Sequence, residues 1–142
     1  MEKLKIERTK SGLPAMWECG GGYSNTGDAT IVAGKDGKAK KPVYVKRGGH
    51  LACQNHALIP IVVGDYIVEA SHHRVDFKMD IYKITGFENG ENETFAFVEQ
   101  VSHFSRGEWD VEPPEHLNAA IEAAMQKATC YHCREPHYVY VE

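Results

Sequence analysis

The sequence lacks the features that would place it in several large classes of protein. No stretch approaches the ~20 consecutive apolar residues of a membrane helix. The N-terminus is charged from Glu2 onward and has no apolar segment of a secretory signal, which predicts a cytoplasmic protein that does not associate with a membrane. Gly-x-Ser-x-Gly, His-Glu-x-x-His and Walker A motifs are absent, so no familiar hydrolase, zinc protease or P-loop signature assigns a reaction.

Internal repeats, low-complexity tracts and linker-like segments are also absent from the sequence. The 142 residues fit one domain of ordinary size, because two domains of half that length would each be marginally stable. We therefore expect residues 1–142 to form a single domain.

The charge is distributed unevenly along the chain. Residues 1–47 carry a formal charge of +5 and residues 48–142 a charge of −9, which together give the net charge of −4. Such asymmetry occurs in proteins with a basic and an acidic face, or in proteins that associate with a protein partner or a second copy of themselves. A mixed solvated surface is the favoured explanation here, because the charges are interspersed with apolar residues.

Short segments with the pattern of β-strands fill most of the chain. We predict strands at residues 3–8, 29–33, 42–47, 58–63, 66–70, 75–81, 94–101 and 138–141, and a loop at the glycine-rich residues 17–28. The polar residues 34–41 are expected to connect two of these strands. Gly64 and Asp65 predict a tight turn between residues 58–63 and 66–70.

The clearest strand has Val75, Phe77, Met79 and Ile81 on one face, after which the apolar residues shift to Tyr82 and Ile84. That shift indicates a β-bulge or a change in which face is covered. The Asn89-Gly90 pair then predicts an antiparallel hairpin with residues 94–101.

One helix is predicted at residues 115–128, after a pair of prolines. Its apolar residues recur at helical spacing and form one stripe, composed of Leu117, Ala120, Ile121, Ala124, Met125 and Ala128. The fold class is therefore α+β and mostly β: an antiparallel β-sandwich or small barrel with one C-terminal amphipathic helix.

The four cysteines predict a zinc site. Cys130 and Cys133 have the C-x2-C spacing that lets two thiolates of one turn bind the same tetrahedral ion. Two complete ligand sets are possible: the four thiolates of Cys19, Cys53, Cys130 and Cys133, or the last three of these with His50 or His56. Buried reduced thiols are the alternative explanation. Redox catalysis is disfavoured, because the pair follows the C-terminus of the predicted helix, where the dipole opposes thiolate formation.

A bound zinc predicts a small accessory or interaction protein, in which the metal ties the C-terminal cysteine pair to the Cys53 loop. The first alternative is a hydrolase or phosphoesterase whose catalytic residues are His50, His72 and His103 around one cleft. A closed four-ligand zinc site would be structural, whereas three ligands and a water would indicate catalysis.

A second alternative is a nucleic-acid-binding module. Six basic residues lie between Lys35 and Arg47, with Tyr44 among them and Asp36 as the one acidic residue. On a hairpin these cations would follow a phosphate backbone while Tyr44 stacks on a base. The acidic overall pI of about 6.1 argues against strong non-specific binding.

Overall fold

Strands form most of the structure, which is a computed structural model that describes residues 2–23, 26–46, 56–73 and 76–129. One turn of 3-10 helix, Glu115–Leu117, and one α-helix, α1 (Asn118–Thr129), follow the strands. The strands are β1 (Glu2–Arg8), β2 (Pro14–Tyr23), β3 (Thr26–Ala33), β4 (Tyr44–Lys46), β5 (His56–Pro60), β6 (Tyr66–His73), β7 (Asp76–Asn89), β8 (Thr94–Ser105) and β9 (Glu108–Trp109). The prediction of a mostly β fold with one helix near the C-terminus is confirmed.

All nine strands found in the described residues belong to one antiparallel sheet that curls into a half-barrel. The strand order is β1-β8-β7-β6-β3-β2-β5-β4, and β9 extends the sheet beside β8. The curling brings β1 back to β2, with Glu7 opposite Ala15 and Arg8 opposite Pro14. Among the described helices, none has the length and apolar character needed to span a membrane.

Both faces of the central strands are buried, which explains their continuous apolar sequences. On β3 and β6, neighbouring residues such as Ile67 and Val68 point to opposite faces and enter different clusters. One cluster joins the sheet to α1 and includes Ile31, Val68, Met79, Ile81, Leu117 and Ala124. The other lies on the opposite face and includes Ile6, Val32, Ile59, Ile67, Ile84 and Val98.

The helix packs on the sheet through small side chains, close to the predicted bounds. Five of the six predicted stripe residues are buried, namely Leu117, Ala120, Ile121, Ala124 and Ala128. Met125 is 41% exposed and Lys127 is buried instead. Since residue 127 is seven positions after Ala120, it lies on the same face of the helix as the apolar residues.

The prediction of a loop at residues 17–28 is wrong, because β2 and the start of β3 occupy this segment. Cys19 lies opposite Thr30 of β3 on one side and opposite His56 of β5 on the other. Pairing of Gly20, Gly21 and Gly22 with β3 outweighs the weak intrinsic preference of glycine for strands.

Two predicted connections are present, but neither joins strands that pair with each other. Strand β4 pairs with β5 and not with β3, and residues 34–38 instead form a turn closed by the Ala33–Ala39 bridge. Residues 58–63 are a strand only as far as Pro60. The predicted turn is present, with the Asp65 N–H donating to the Val62 carbonyl at 3.1 Å, but β5 and β6 are not neighbours in the sheet.

The predicted hairpin is confirmed as β7 and β8. The register of this pair shifts between Ile81 and Tyr82 and again between Ile84 and Gly86. At the first shift the buried side chains also pass from the face covered by α1, at Ile81, to the other cluster, at Ile84. The predicted strand at residues 138–141 lies outside the described residues.

Candidate functional site

Two of the predicted zinc ligands fall on described strands and are direct register partners. Cys19 on β2 is opposite His56 on β5. The Cα atoms of opposed residues in an antiparallel pair are about 4.5–5.5 Å apart, which is close enough for two residues to bind the same ion. Cys53, Cys130, Cys133 and His50 lie outside the described residues.

A buried ion pair brings the last turn of α1 to β2, beside Cys19. Lys127 Nζ lies 3.6 Å from Glu18 Oε1, and the two side chains are 5% and 0% exposed. The second Glu18 oxygen, Oε2, accepts a hydrogen bond of 2.9 Å from the Val32 N–H. Glu18 immediately precedes Cys19, and Lys127 precedes Cys130 by three residues, which span at most ~10 Å. Two segments that carry predicted ligands therefore start from one region.

Within residues 2–23, 26–46, 56–73 and 76–129, no group of three or more His, Cys, Asp and Glu side chains is arranged to hold a metal ion. The described part of the chain thus contributes at most a portion of the predicted ligand set.

A second polar site lies on β7 and β8, where an Asp–His pair is formed. His103 Nδ1 is 2.6 Å from Asp80 Oδ1, and the same oxygen accepts a hydrogen bond of 2.7 Å from Gln100 Nε2. The His103 main chain is also fixed, because its N–H donates to Asp110 Oδ1 at 2.7 Å. The two side chains are 38% and 31% exposed, so the oriented imidazole remains accessible.

Acidic groups surround this pair and lie in register with it. Glu69 on β6 is directly opposite Asp80, which in turn is opposite His103. Burial raises the pKa of Glu69, and the negative charge of Asp80 raises it further. Burial, followed by the same charge, raises the pKa of Tyr82 to about 12. Hydrogen bonding from the His103 N–H lowers the pKa of Asp110.

The predicted catalytic histidines are divided between the two faces of the sheet. His103 is on the face of Asp80 and Glu69, because directly opposed residues project to the same side. His72 alternates with Ala70 on the other face, where its ring lies 6.3 Å from that of Phe77. His50 lies outside the described residues. The structure thus gives His103 a carboxylate partner and does not bring His72 to it.

The basic segment runs from the turn at residues 34–38 to the edge strand β4. Lys40 is occupied within the fold, since its Nζ contacts Asp65 Oδ2 at 2.5 Å. Lys35, Lys38 and Lys41 are exposed. Tyr44, 54% exposed, lies beside Trp17 with the ring centroids 6.1 Å apart.

Two of the surface cavities formed by the described residues are separate from the Asp80–His103 pair. One, of about 520 Å³, lies between the turn at residues 36–39 and the start of the helical segment, and His116 lines it. The other, of about 610 Å³, lies where β1 meets the β7–β8 turn and is lined mainly by charged and polar residues, among them Arg8 and Glu93. Neither cavity includes Asp80 or His103.

Sequence reasoning missed the Glu18–Lys127 pair and the contact of Trp17 with Tyr44. The position of Lys127 on the apolar face of the helix was a signal for a buried partner, but Glu18 lay in a segment predicted to be a loop. Comparisons of the chain with protein-family models, with curated proteins and with solved structures give no match. Its function is therefore inferred from the chemistry of its own residues.

Proposed function

We propose that this chain is a small accessory or interaction protein whose fold is tied together by a structural zinc ion. Cys53, Cys130 and Cys133 supply three ligands, and the fourth is Cys19 or a histidine of the Cys53 segment, His50 or His56. Four protein ligands leave no open position for a water or a substrate, so the metal stabilises the fold and does not catalyse a reaction.

One observation carries this proposal: β2 is contacted by the end of α1 at Glu18 and pairs with the start of β5 at Cys19. Cys19 is opposite His56, and Lys127 contacts Glu18, the residue before Cys19. Cys53 precedes His56 by three residues, and Cys130 follows Thr129, where α1 ends. Zinc bound here would connect segments that are distant in sequence, and its binding free energy would add directly to the stability of the fold.

Metal analysis of the protein purified without a nickel column tests the proposal. We expect about one equivalent of zinc per chain, and less than ~0.2 equivalents would overturn the proposal. Cys130→Ser should abolish binding. Comparison of Cys19→Ser with His56→Asn identifies the fourth ligand among the two register partners, while His116→Asn, at an exposed histidine on the 3-10 turn, is the matched control and should keep its zinc.

Two finer features accompany this proposal. The β1–β2 pairing supports a small barrel over a sandwich, because it joins a strand at one end of the sheet order to one near the other end. Thiolate ligands persist in a reducing compartment, so we propose a cytoplasmic location.

The Asp80–His103 pair supports a second candidate function, that of a hydrolase. A carboxylate hydrogen-bonded to Nδ1 orients the imidazole, so that Nε2 is the nitrogen available to take a proton from water. Glu69, whose pKa is raised by burial, is positioned on the neighbouring strand to supply a proton.

A screen with generic phosphate and carboxylate esters tests this second candidate. Hydrolysis that falls about 100-fold or more in His103→Ala, and not in His116→Ala, would support it. Equal activity in wild type and His103→Ala would exclude a catalytic role for His103.

A further inference from the structure

The inner face of the curled sheet changes from apolar to charged toward one end of its strands. Ile6 on β1, Val98 on β8 and Ile59 on β5 meet in one cluster, although these strands come from both ends of the strand order. The cluster is therefore enclosed by the curl of the sheet, whereas α1 packs on the outer face. Side chains that continue the same face beyond this cluster line the end of the half-barrel interior.

Four strands each place an acidic residue on this inner face, beyond the cluster and toward the end at which β6 and β8 finish. Alternate residues of a strand project to the same face. The residue that packs in the cluster and the acidic residue beyond it are Leu4 and Glu2 on β1, Val32 and Asp28 on β3, Ile67 and Glu69 on β6, and Tyr82 and Asp80 on β7. His103, which is opposite Asp80, shares this face.

Negative charge dominates around the Asp80–His103 pair. Burial raises the pKa of Glu69, and the charges that raise it further are those of Asp80, Glu2 and Asp28. These carboxylates are therefore close enough to influence one another. Lys78, exposed on the same face of β7, offsets part of their charge. Because the carboxylates outnumber it on a concave face, a cation is attracted to this end of the interior and an anion is repelled.

We propose that the candidate hydrolase site at His103 acts on carboxylic esters that carry a positively charged ammonium or guanidinium group. The ester carbonyl lies at His103 Nε2, and the cation lies toward Glu69 and Asp28. Glu69 is two strands away from His103, which is about 10 Å across the sheet, so the cation is several bonds from the ester. Phosphate esters are disfavoured, because the same carboxylates repel their negative charge. This inference rests on the second candidate function, since it assigns a substrate class to that site.

The reaction is a hydrolysis that needs water as its one co-reactant. His103 Nε2 takes a proton from the water as the water oxygen bonds to the carbonyl carbon. The bond from that carbon to the alcohol oxygen then breaks, and Nε2 returns the proton to the departing alcohol. The cation of the substrate is unchanged, so the carboxylates around it bind and orient the ester and take no part in bond breaking.

Hydrolysis of two p-nitrophenyl esters tests the proposal, those of N-acetyl-lysine and N-acetyl-norleucine, whose side chains differ in the terminal ammonium group. We expect kcat/KM to be about 10-fold or more higher for the lysine ester, and this ratio to fall as added salt screens the carboxylates. The double variant Glu2→Gln/Asp28→Asn should reduce the ratio about 4-fold or more, because one exposed ion pair typically contributes about 2- to 5-fold.

The matched control is Glu115→Gln/Glu122→Gln, which removes two exposed carboxylates from the helical segment and should leave the ratio unchanged. Circular dichroism verifies that each variant is folded. Hydrolysis that is lost in His103→Ala but is equal for the two esters would overturn this inference and leave the hydrolase candidate standing. So would a ratio that Glu2→Gln/Asp28→Asn does not change. No difference between wild type and His103→Ala with either ester would overturn both.

Discussion

Replacement of Lys127 by methionine removes the positive charge from the buried ion pair between α1 and β2. Methionine retains most of the apolar stem, so the change leaves the Glu18 carboxylate buried next to a thioether. The two groups are 3.6 Å apart, with side chains 5% and 0% exposed. At that separation and an effective dielectric constant of ~20, their attraction is about 5 kcal/mol before the cost of desolvation.

We expect Lys127→Met to lower the free energy of unfolding by about 3 kcal/mol. Removal of one member of a buried ion pair typically costs ~3–5 kcal/mol. The lower end applies here, because Glu18 Oε2 keeps its hydrogen bond from the Val32 N–H. The double variant Glu18→Gln/Lys127→Met should recover about 2 kcal/mol of the loss, since a neutral amide oxygen still accepts that hydrogen bond and no buried charge remains.

Urea unfolding followed by circular dichroism, with linear extrapolation to water, measures these differences. Glu122→Met, at an exposed position on α1, is the matched control and should change stability by less than ~0.5 kcal/mol. A loss of less than ~1 kcal/mol in Lys127→Met, or a double variant less stable than either single variant, would refute the assignment of this pair as a tie between helix and sheet.

Two further substitutions test the packing of the turn before β4 and the charge on the sheet. Gly37→Ala should lower the free energy of unfolding by at least ~2 kcal/mol more than Gly12→Ala does, as measured by urea unfolding. Both glycines have positive φ, 82° and 89°, but only at Gly37 would a Cβ lie 1.9 Å from the His116 carbonyl oxygen. Equal losses of stability in the two variants would contradict that contact. Glu69→Gln should stabilise the protein at about pH 7 and not at about pH 3.5. Because burial raises the pKa of Glu69 in the folded state, the contribution of Glu69 to stability falls as pH rises through that folded-state pKa, and glutamine does not have this loss. A stability difference that is independent of pH would contradict the burial of this carboxyl.

Local patterns in the sequence were enough to predict the hairpin and the helix. The hairpin of β7 and β8 depends on the Asn89-Gly90 turn and on the alternation around Met79, which are properties of neighbouring residues. Each strand has one inserted residue at a register shift, Thr85 on β7 and Val101 on β8, and the two insertions cancel. Asp80 consequently faces His103, as it would in a hairpin without bulges that starts from the Asn89–Thr94 pair. This register was accessible from the sequence once the turn was fixed.

The remainder of the fold depends on contacts that local patterns do not encode. The glycine-rich end of β2 is a strand because its backbone pairs with β3, with Gly20 opposite Ala29 and Gly22 opposite Gly27, and glycines leave no apolar alternation in the sequence to indicate this. Lys127 is buried for a similar reason, since its partner Glu18 comes from a strand distant in sequence. The same contacts separate His72 from His103, whose positions on opposite faces follow from strand alternation once both strands are known.

X-ray absorption at the zinc edge of the purified full chain distinguishes a closed structural zinc site from other modes of zinc binding. We expect a four-coordinate site with three or four sulfur ligands at ~2.3 Å and any remaining ligand a histidine nitrogen at ~2.0 Å. Zinc surrounded mainly by oxygen, or zinc with a coordinated water in the fourth position, would contradict a closed structural site.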